Sequence, residues 1–117
     1  MSRQRGFQAE QSVCDYLTKQ GLIWKSSNYQ CRFGEIDLIM QDGVYFVFVE
    51  VRSRLSSTFG SALESVTHSK QQKIIKTAQW YLKVNRLHDG HPIRFDVVGL
   101  QGNPPEITWV KHAFGGH

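Results

Sequence analysis

Gly34-Glu35-Ile36-Asp37-Leu38-Ile39, followed at hairpin distance by Val47-Phe48-Val49-Glu50-Val51-Arg52, is a pair of apolar strand patterns, each interrupted by acid. Side chains alternate faces along a strand, so Glu35 and Asp37 share one face of the first strand, with Ile36 and Leu38 on the other. By the same alternation Glu50 and Arg52 lie opposite Val49 and Val51. A turn near Gln41-Asp42-Gly43 pairs the strands and can bring Asp37 and Glu50 together beside a cation. Two carboxylates, a backbone carbonyl such as that of Val51, and water are the oxygen ligands magnesium or manganese prefers. Such an ion can neutralise a phosphodiester oxygen and orient an acidified water for in-line attack. Spacing alone also allows a plain hairpin edge whose acids pair with Arg32, Arg52 or Arg54.

Upstream, Arg5 to Gln20 reads as a helix with Phe7, Val13, Cys14 and Leu17 on its apolar stripe and Gly21 as its stop. Glu10 falls within that stripe, so its carboxylate points toward the core side and needs a partner, which a salt bridge to an arginine or a half-exposed position at the helix edge would also supply. Leu22 to Tyr29, Glu35 to Met40 and Val44 to Arg52 read as three antiparallel strands. Ser53 to Gly60 is a polar loop, and Ser61 to Val66 a short helical turn. Ser69 to Arg86 is a second helix with Ile74, Ala78 and Leu82 buried, Ile75 beside them, and Lys73, Lys76 and Lys83 on a different face. After a turn at His88-Asp89-Gly90 come strands over Pro92 to Leu100 and Glu106 to Val110, then a glycine-rich, flexible tail from about Ala113. The order α-β-β-β-α-β-β predicts an α/β fold, a mixed sheet flanked by helices.

The 117 residues suit one domain spanning 1–117. The longest apolar run, Val44 to Val49, is far too short to cross a bilayer, and the polar start at Met1-Ser2-Arg3-Gln4-Arg5 is no signal peptide, so a cytoplasmic protein is expected. Cys14 and Cys31 lack CxxC spacing and read as reduced small hydrophobes. The net charge of +4 is moderate, but Arg3 and Arg5 open the chain, Lys25, Arg32, Arg52 and Arg54 flank the acidic strands, and Lys70, Lys73, Lys76 and Lys83 lie on the second helix, an arrangement suited either to a polyanion over a metal or to an ordinary solvated surface. His88 and His91 have the wrong spacing for a helical zinc motif, and no third ligand is evident. Neither a phosphate-binding glycine loop nor a nucleophile elbow is present.

The succession of Glu10, Gly34-Glu35-Ile36-Asp37-Leu38-Ile39, Phe48-Val49-Glu50-Val51-Arg52 and Arg94-Phe95-Asp96-Val97-Val98 resembles the YraN-type family of small bacterial proteins. Gly6, Ala9, Tyr16-Leu17, Gly21, Phe59-Gly60, Lys70, Lys73-Ile74, Tyr81-Leu82 and Ala113-Phe114 extend the resemblance over nearly the whole chain. That family is similar to archaeal-type Holliday junction resolvases among the PD-(D/E)XK nucleases, which implies a restriction-endonuclease-like core and a magnesium- or manganese-dependent endonuclease acting on structured DNA. The resemblance makes Asp37 the acid of the first catalytic strand, Glu50 the second acid and Glu10 the helix carboxylate. It also makes a second copy of the chain a candidate partner.

One position departs from the pattern: the lysine two residues after the second acid is here Arg52. Arginine stays protonated, so it can bind phosphate or stabilise developing charge but cannot take a proton from water. Lys70 or Lys73 can substitute only if the second helix brings an ammonium within reach of Glu50. The expected site is therefore Glu10, Asp37, Glu50 and Arg52 for catalysis, Asp37, Glu50 and Val51 for metal, and Arg52, Arg54, Lys70 and Lys73 for nucleic acid. The alternative is a non-catalytic nucleic-acid-binding module whose site Arg52 has disabled.

Overall fold

The computed structural model describes residues 2–54, 63–87 and 90–115, with the side chains of 2–7, 54 and 63 outside the description. The Phe7 and Arg54 side chains, most of the expected polar loop to Gly60, the start of the short helix at Ser61 and the His88-Asp89 part of the turn thus lie outside the described residues. The elements are α1 (Ser2–Lys19), β1 (Ile23–Cys31), β2 (Gly34–Asp42), β3 (Tyr45–Arg54), a 3-10 turn at Leu63–Ser65, α2 (His68–Val84), β4 (Ile93–Gln101) and β5 (Glu106–Phe114). This is the α-β-β-β-α-β-β order expected from the sequence.

α1 ends where Gly21 adopts a left-handed φ of 101°, which lets Gly21 N–H donate to Thr18 and Leu22 N–H donate back to Leu17. Leu22 is buried beside Leu17 in this Schellman arrangement, fixing the entry into β1. α2 starts at Thr67, whose hydroxyl accepts the Lys70 N–H at 3.2 Å. That cap orients the first turn of α2 and, with it, Lys70.

The five strands form one sheet in the order β1-β2-β3-β4-β5. All neighbours are antiparallel except β3 and β4, which are parallel and therefore need a crossover, supplied by α2. α1 covers one face through Ala9, Val13 and Leu17 against Leu38, Met40, Val47, Val49, Val98 and Leu100. α2 covers the other through Ile74, Ala78 and Leu82 against Ile36, Ile39, Phe46, Phe48, Phe95 and Val97.

Two details differ from the sequence reading. Ile36 and Leu38 pack into opposite cores, so strict alternation breaks at Asp37. β5 also runs past Val110 and through Ala113 to Phe114, where a flexible tail was expected. Phe114 is buried and stacks on Phe95, with ring centroids 5.2 Å apart. An irregularity in the β4–β5 pairing between Phe95 and Val97, with His112 at a φ of 52°, lets the strand continue beyond its polar Lys111-His112 interruption.

Candidate functional site

The sheet forks between β2 and β3. Their ladder runs from Asp42–Tyr45 to Leu38–Val49 and ends there. The first residues of β2 pair with β1 alone, while Glu50 to Arg54 pair with β4 alone. Asp37 sits in the opening, and its Oδ2 accepts the Val51 N–H at 2.8 Å. A carboxylate thus satisfies a backbone donor at the point where the ladder stops, tying the two prongs together. Val51 meets the site through this N–H, whereas the sequence reading gave it a role through its carbonyl.

Asn28 explains why alternation fails here. The register pairs Ser27 with Leu38 and Tyr29 with Ile36, which puts Asn28 opposite Asp37. Asn28 has a left-handed φ of 53°, a conformation asparagine tolerates better than most residues. Its side chain hydrogen-bonds the Glu10 carboxylate. Asn28 is not among the residues expected at the site, although an asparagine in a strand pattern is a signal of such a local break.

The fork gathers three carboxyl groups, and each is held above its ordinary pKa. Glu50 is only 3% exposed and lies on the α2 side of β3. Burial and the neighbouring Asp37 raise it to about 7, against the pull of Lys70 and Arg52. Burial also raises Asp37, although the Val51 N–H pulls the other way. Glu10, reaching in from α1, is raised to about 7 by burial and by Asp37, and its Oε1 is shielded without a hydrogen-bond partner.

Two cations answer these acids, both on one oxygen. Arg52 Nη2 is 2.9 Å and Lys70 Nζ 3.6 Å from Glu50 Oε2. The Glu50–Arg52 half of the hairpin-edge alternative is therefore realised, whereas Asp37 is bound to backbone. Lys70 meets the condition set for a substitute ammonium. Lys73 is exposed one turn further along α2, where β2 approaches so closely that a Cβ on Gly34 would lie 3.5 Å from Lys73 Cβ and 3.1 Å from Thr77 Oγ1. Glu35 is exposed and accepts a long 3.4 Å bond from Gln30.

Hard-cation chemistry fits this donor set. Among the described residues no three His, Cys, Asp or Glu side chains close around one point as a metal cage. Asp37 and Glu50 instead form an open pair, and magnesium commonly takes one or two carboxylates and keeps several waters. The unpartnered Glu10 Oε1 and the raised pKa values mark a local excess of negative charge that a proton or a divalent cation relieves.

Asp96, in the Arg94-Phe95-Asp96 stretch, has a different role. It is fully buried and accepts Arg94 Nε on both oxygens at 3.1 Å, Trp109 Nε1 at 2.8 Å and His112 N–H at 3.2 Å. Arg94 also reaches Asp42 at 2.9 Å. This network fastens the irregular β4–β5 pairing to the hairpin end of β2, at the end of that strand remote from the fork.

A family model described as uncharacterised protein family UPF0102 matches residues 9–100, which run from the middle of α1 through most of β4 and include Glu10, Asp37 and Glu50. The chain belongs to the UPF0102 family. It is 50% identical over 114 residues to a UPF0102 protein of Legionella pneumophila, covering 97% of both chains. UPF0102 proteins of Nitrosococcus oceani and Pseudomonas paraeruginosa are 46% and 43% identical, with 96% and 97% of this chain and 92% and 94% of theirs covered. The YraN-type resemblance read from the sequence is this UPF0102 membership. No helix among the described residues of this UPF0102 chain is long and apolar enough to cross a membrane.

Proposed function

We propose that this UPF0102 protein is a divalent-metal-dependent endonuclease acting on phosphodiester bonds of structured DNA. The observation that carries the reading is the fork itself: Asp37 and Glu50 meet where the sheet opens, with Glu10 on one side and Arg52 and Lys70 on the other. Asp37 and Glu50 would hold magnesium or manganese, which when bound supplies charge neutralisation at a phosphoryl oxygen and a more acidic water. Glu10 titrates near neutrality and can hold or release a proton at its unpartnered Oε1. Arg52 and Lys70 can contact the scissile phosphate and stabilise its developing charge. An ammonium from α2 thus supports activity despite the arginine at the position after the second acid.

A second reading is favoured by one observation: Arg52 is paired to Glu50 at 2.9 Å where the nuclease pattern has a lysine. Under it the protein binds nucleic acid and does not cut. Cleavage of labelled duplex, single-stranded and four-way-junction DNA, and of RNA, with magnesium or manganese tests both. The first reading expects metal-dependent cutting that Glu50→Ala abolishes. Salt-sensitive binding without cutting, with cleavage appearing in Arg52→Lys, supports the second. Neither binding nor cutting on any substrate rejects both.

A further inference from the structure

The basic face of α2 leads away from the fork to an aromatic cavity that the chemistry above does not use. Lys70, Lys73, Lys76, Trp80 and Lys83 follow one another at spacings of three and four, so they line one side of the helix, apart from the buried Ile74, Thr77, Ala78 and Leu82. At 1.5 Å per residue, Trp80 lies about 15 Å along the helix from Lys70. A tryptophan among lysines on that side serves no layer of the core. Its partner is Phe33, in the turn between β1 and β2, at a centroid separation of 6.0 Å and an interplanar angle of 63°. The close approach of Gly34 to α2 holds that turn over the helix.

Phe33, Lys76, Gln79, Trp80 and Lys83 line an open surface cavity of about 310 Å³. The Arg32 guanidinium lies 4.9 Å from the Phe33 ring centre and 5.9 Å from that of Trp80, and Lys83 Nζ lies 6.0 Å from the Trp80 ring. The rings are therefore held in an electropositive setting before any ligand arrives. Aromatic faces interleaved with cations suit a nucleic-acid strand, whose bases stack and whose phosphates pair with lysine. The Gln79 carboxamide offers both a donor and an acceptor to a base edge.

We propose that the surface cavity lined by Phe33, Gln79 and Trp80 receives an unpaired nucleobase against its aromatic wall, while Lys73, Lys76 and Lys83 hold phosphates of the same strand on its way to the fork. This rests on the nucleic-acid reading above and adds a preference for substrates with unpaired nucleotides near the cutting point. Base-paired nucleotides cannot enter, because their faces are already stacked on their neighbours.

Fluorescence anisotropy in EDTA with labelled single-stranded DNA, single-stranded RNA and a blunt DNA duplex of equal length tests it. Trp80→Ala is expected to weaken single-strand binding about tenfold and to leave duplex binding within about twofold. The exposed pair Lys76→Gln with Lys83→Gln is expected to make the single-strand salt slope shallower by about 1.4. Should Trp80→Ala fail to fold, Phe33→Leu and the lysine pair decide in its place. Equal losses on single strand and duplex, or no loss on either, overturn the inference while native binding keeps the parent reading intact. Absence of salt-sensitive binding by the native protein to every probe overturns both.

Discussion

Lys70 Nζ approaches the Oε2 of Glu50 to 3.6 Å, on the oxygen that Arg52 Nη2 already contacts at 2.9 Å. The two cations reach it by different routes: Arg52 shares a face of β3 with Glu50, whereas Lys70 is placed by the Thr67 cap of α2. Their separate positions let one hold phosphate while the other stays with the acid.

Lys70→Met is therefore expected to lower cleavage about 100- to 1,000-fold, the usual cost of removing one donor aimed at developing charge. It should also move the Glu50 titration upward, because a cation that favours the carboxylate is gone. Carbon-13 NMR of the Glu50 carboxyl reads the second effect independently of any substrate. An unmoved titration would separate Lys70 from Glu50.

The raised carboxyl groups predict a pH dependence of folding without metal. Glu50 is raised from 4.5 to about 7 in the folded chain. Its contribution to stability is present below 4.5, where both states are protonated, and is lost as pH rises through about 7, because the unfolded chain ionises first. Each pK unit corresponds to about 1.4 kcal/mol. Urea unfolding between pH 4 and pH 8 should show this decline, and Glu50→Gln should reduce it to the part that Glu10 and Asp37 supply and be more stable than the native chain at pH 8.

Divalent cations should reverse the same loss. At pH 8, magnesium or manganese at about 100 times its dissociation constant adds roughly 2.7 kcal/mol, a rise of about 10 °C in Tm. Calorimetric scans with and without EDTA measure it. The rise should vanish in Asp37→Asn and in Glu50→Gln.

Asp37 has a structural duty apart from charge, since it accepts the Val51 N–H. Asp37→Ala removes that acceptor at a cost of about 1–3 kcal/mol, offset in part by relief of repulsion with Glu50. Asp37→Asn keeps an acceptor oxygen, so it should be the more stable of the two, and hydrogen exchange at Val51 should be faster in the alanine variant.

Asp96 is expected to behave in the opposite way to Glu50. Its three donor groups leave it well satisfied, and Asp96→Ala leaves Trp109 Nε1 and the His112 N–H without their acceptor and the buried Arg94 guanidinium with Asp42 alone. A loss of about 3–5 kcal/mol follows, read by denaturant unfolding and insensitive to added metal.

Strand alternation and the helical stripes carried much of this fold because they depend on residues close in sequence. The same is true of the meeting of Asp37 and Glu50, which a short hairpin enforces through Gly43 and Val44. What stayed hidden depends on register between distant strands or on docking. The switch of faces at Asp37 needs Asn28 opposite it, and the extension of β5 needs the irregular pairing that allows Phe114 to reach Phe95. The Asp96 partners Trp109 and His112 lie on β5, and the distance from Lys70 to Glu50 is set only once α2 packs on the sheet.

That docking makes one of the counter-charges depend on the crossover. α1 and the β1–β2–β3 meander come first from the ribosome, and they already bring Glu10, Asp37 and Glu50, with Arg52 as companion. The ammonium of Lys70 belongs to the segment that follows, and its arrival coincides with the crossover that makes β4 parallel to β3. Without that crossover the acids would have Arg52 alone as a protein counter-charge, and a proton or a cation would have to supply the rest. The topology that allows a parallel strand also brings the last counter-charge to the fork.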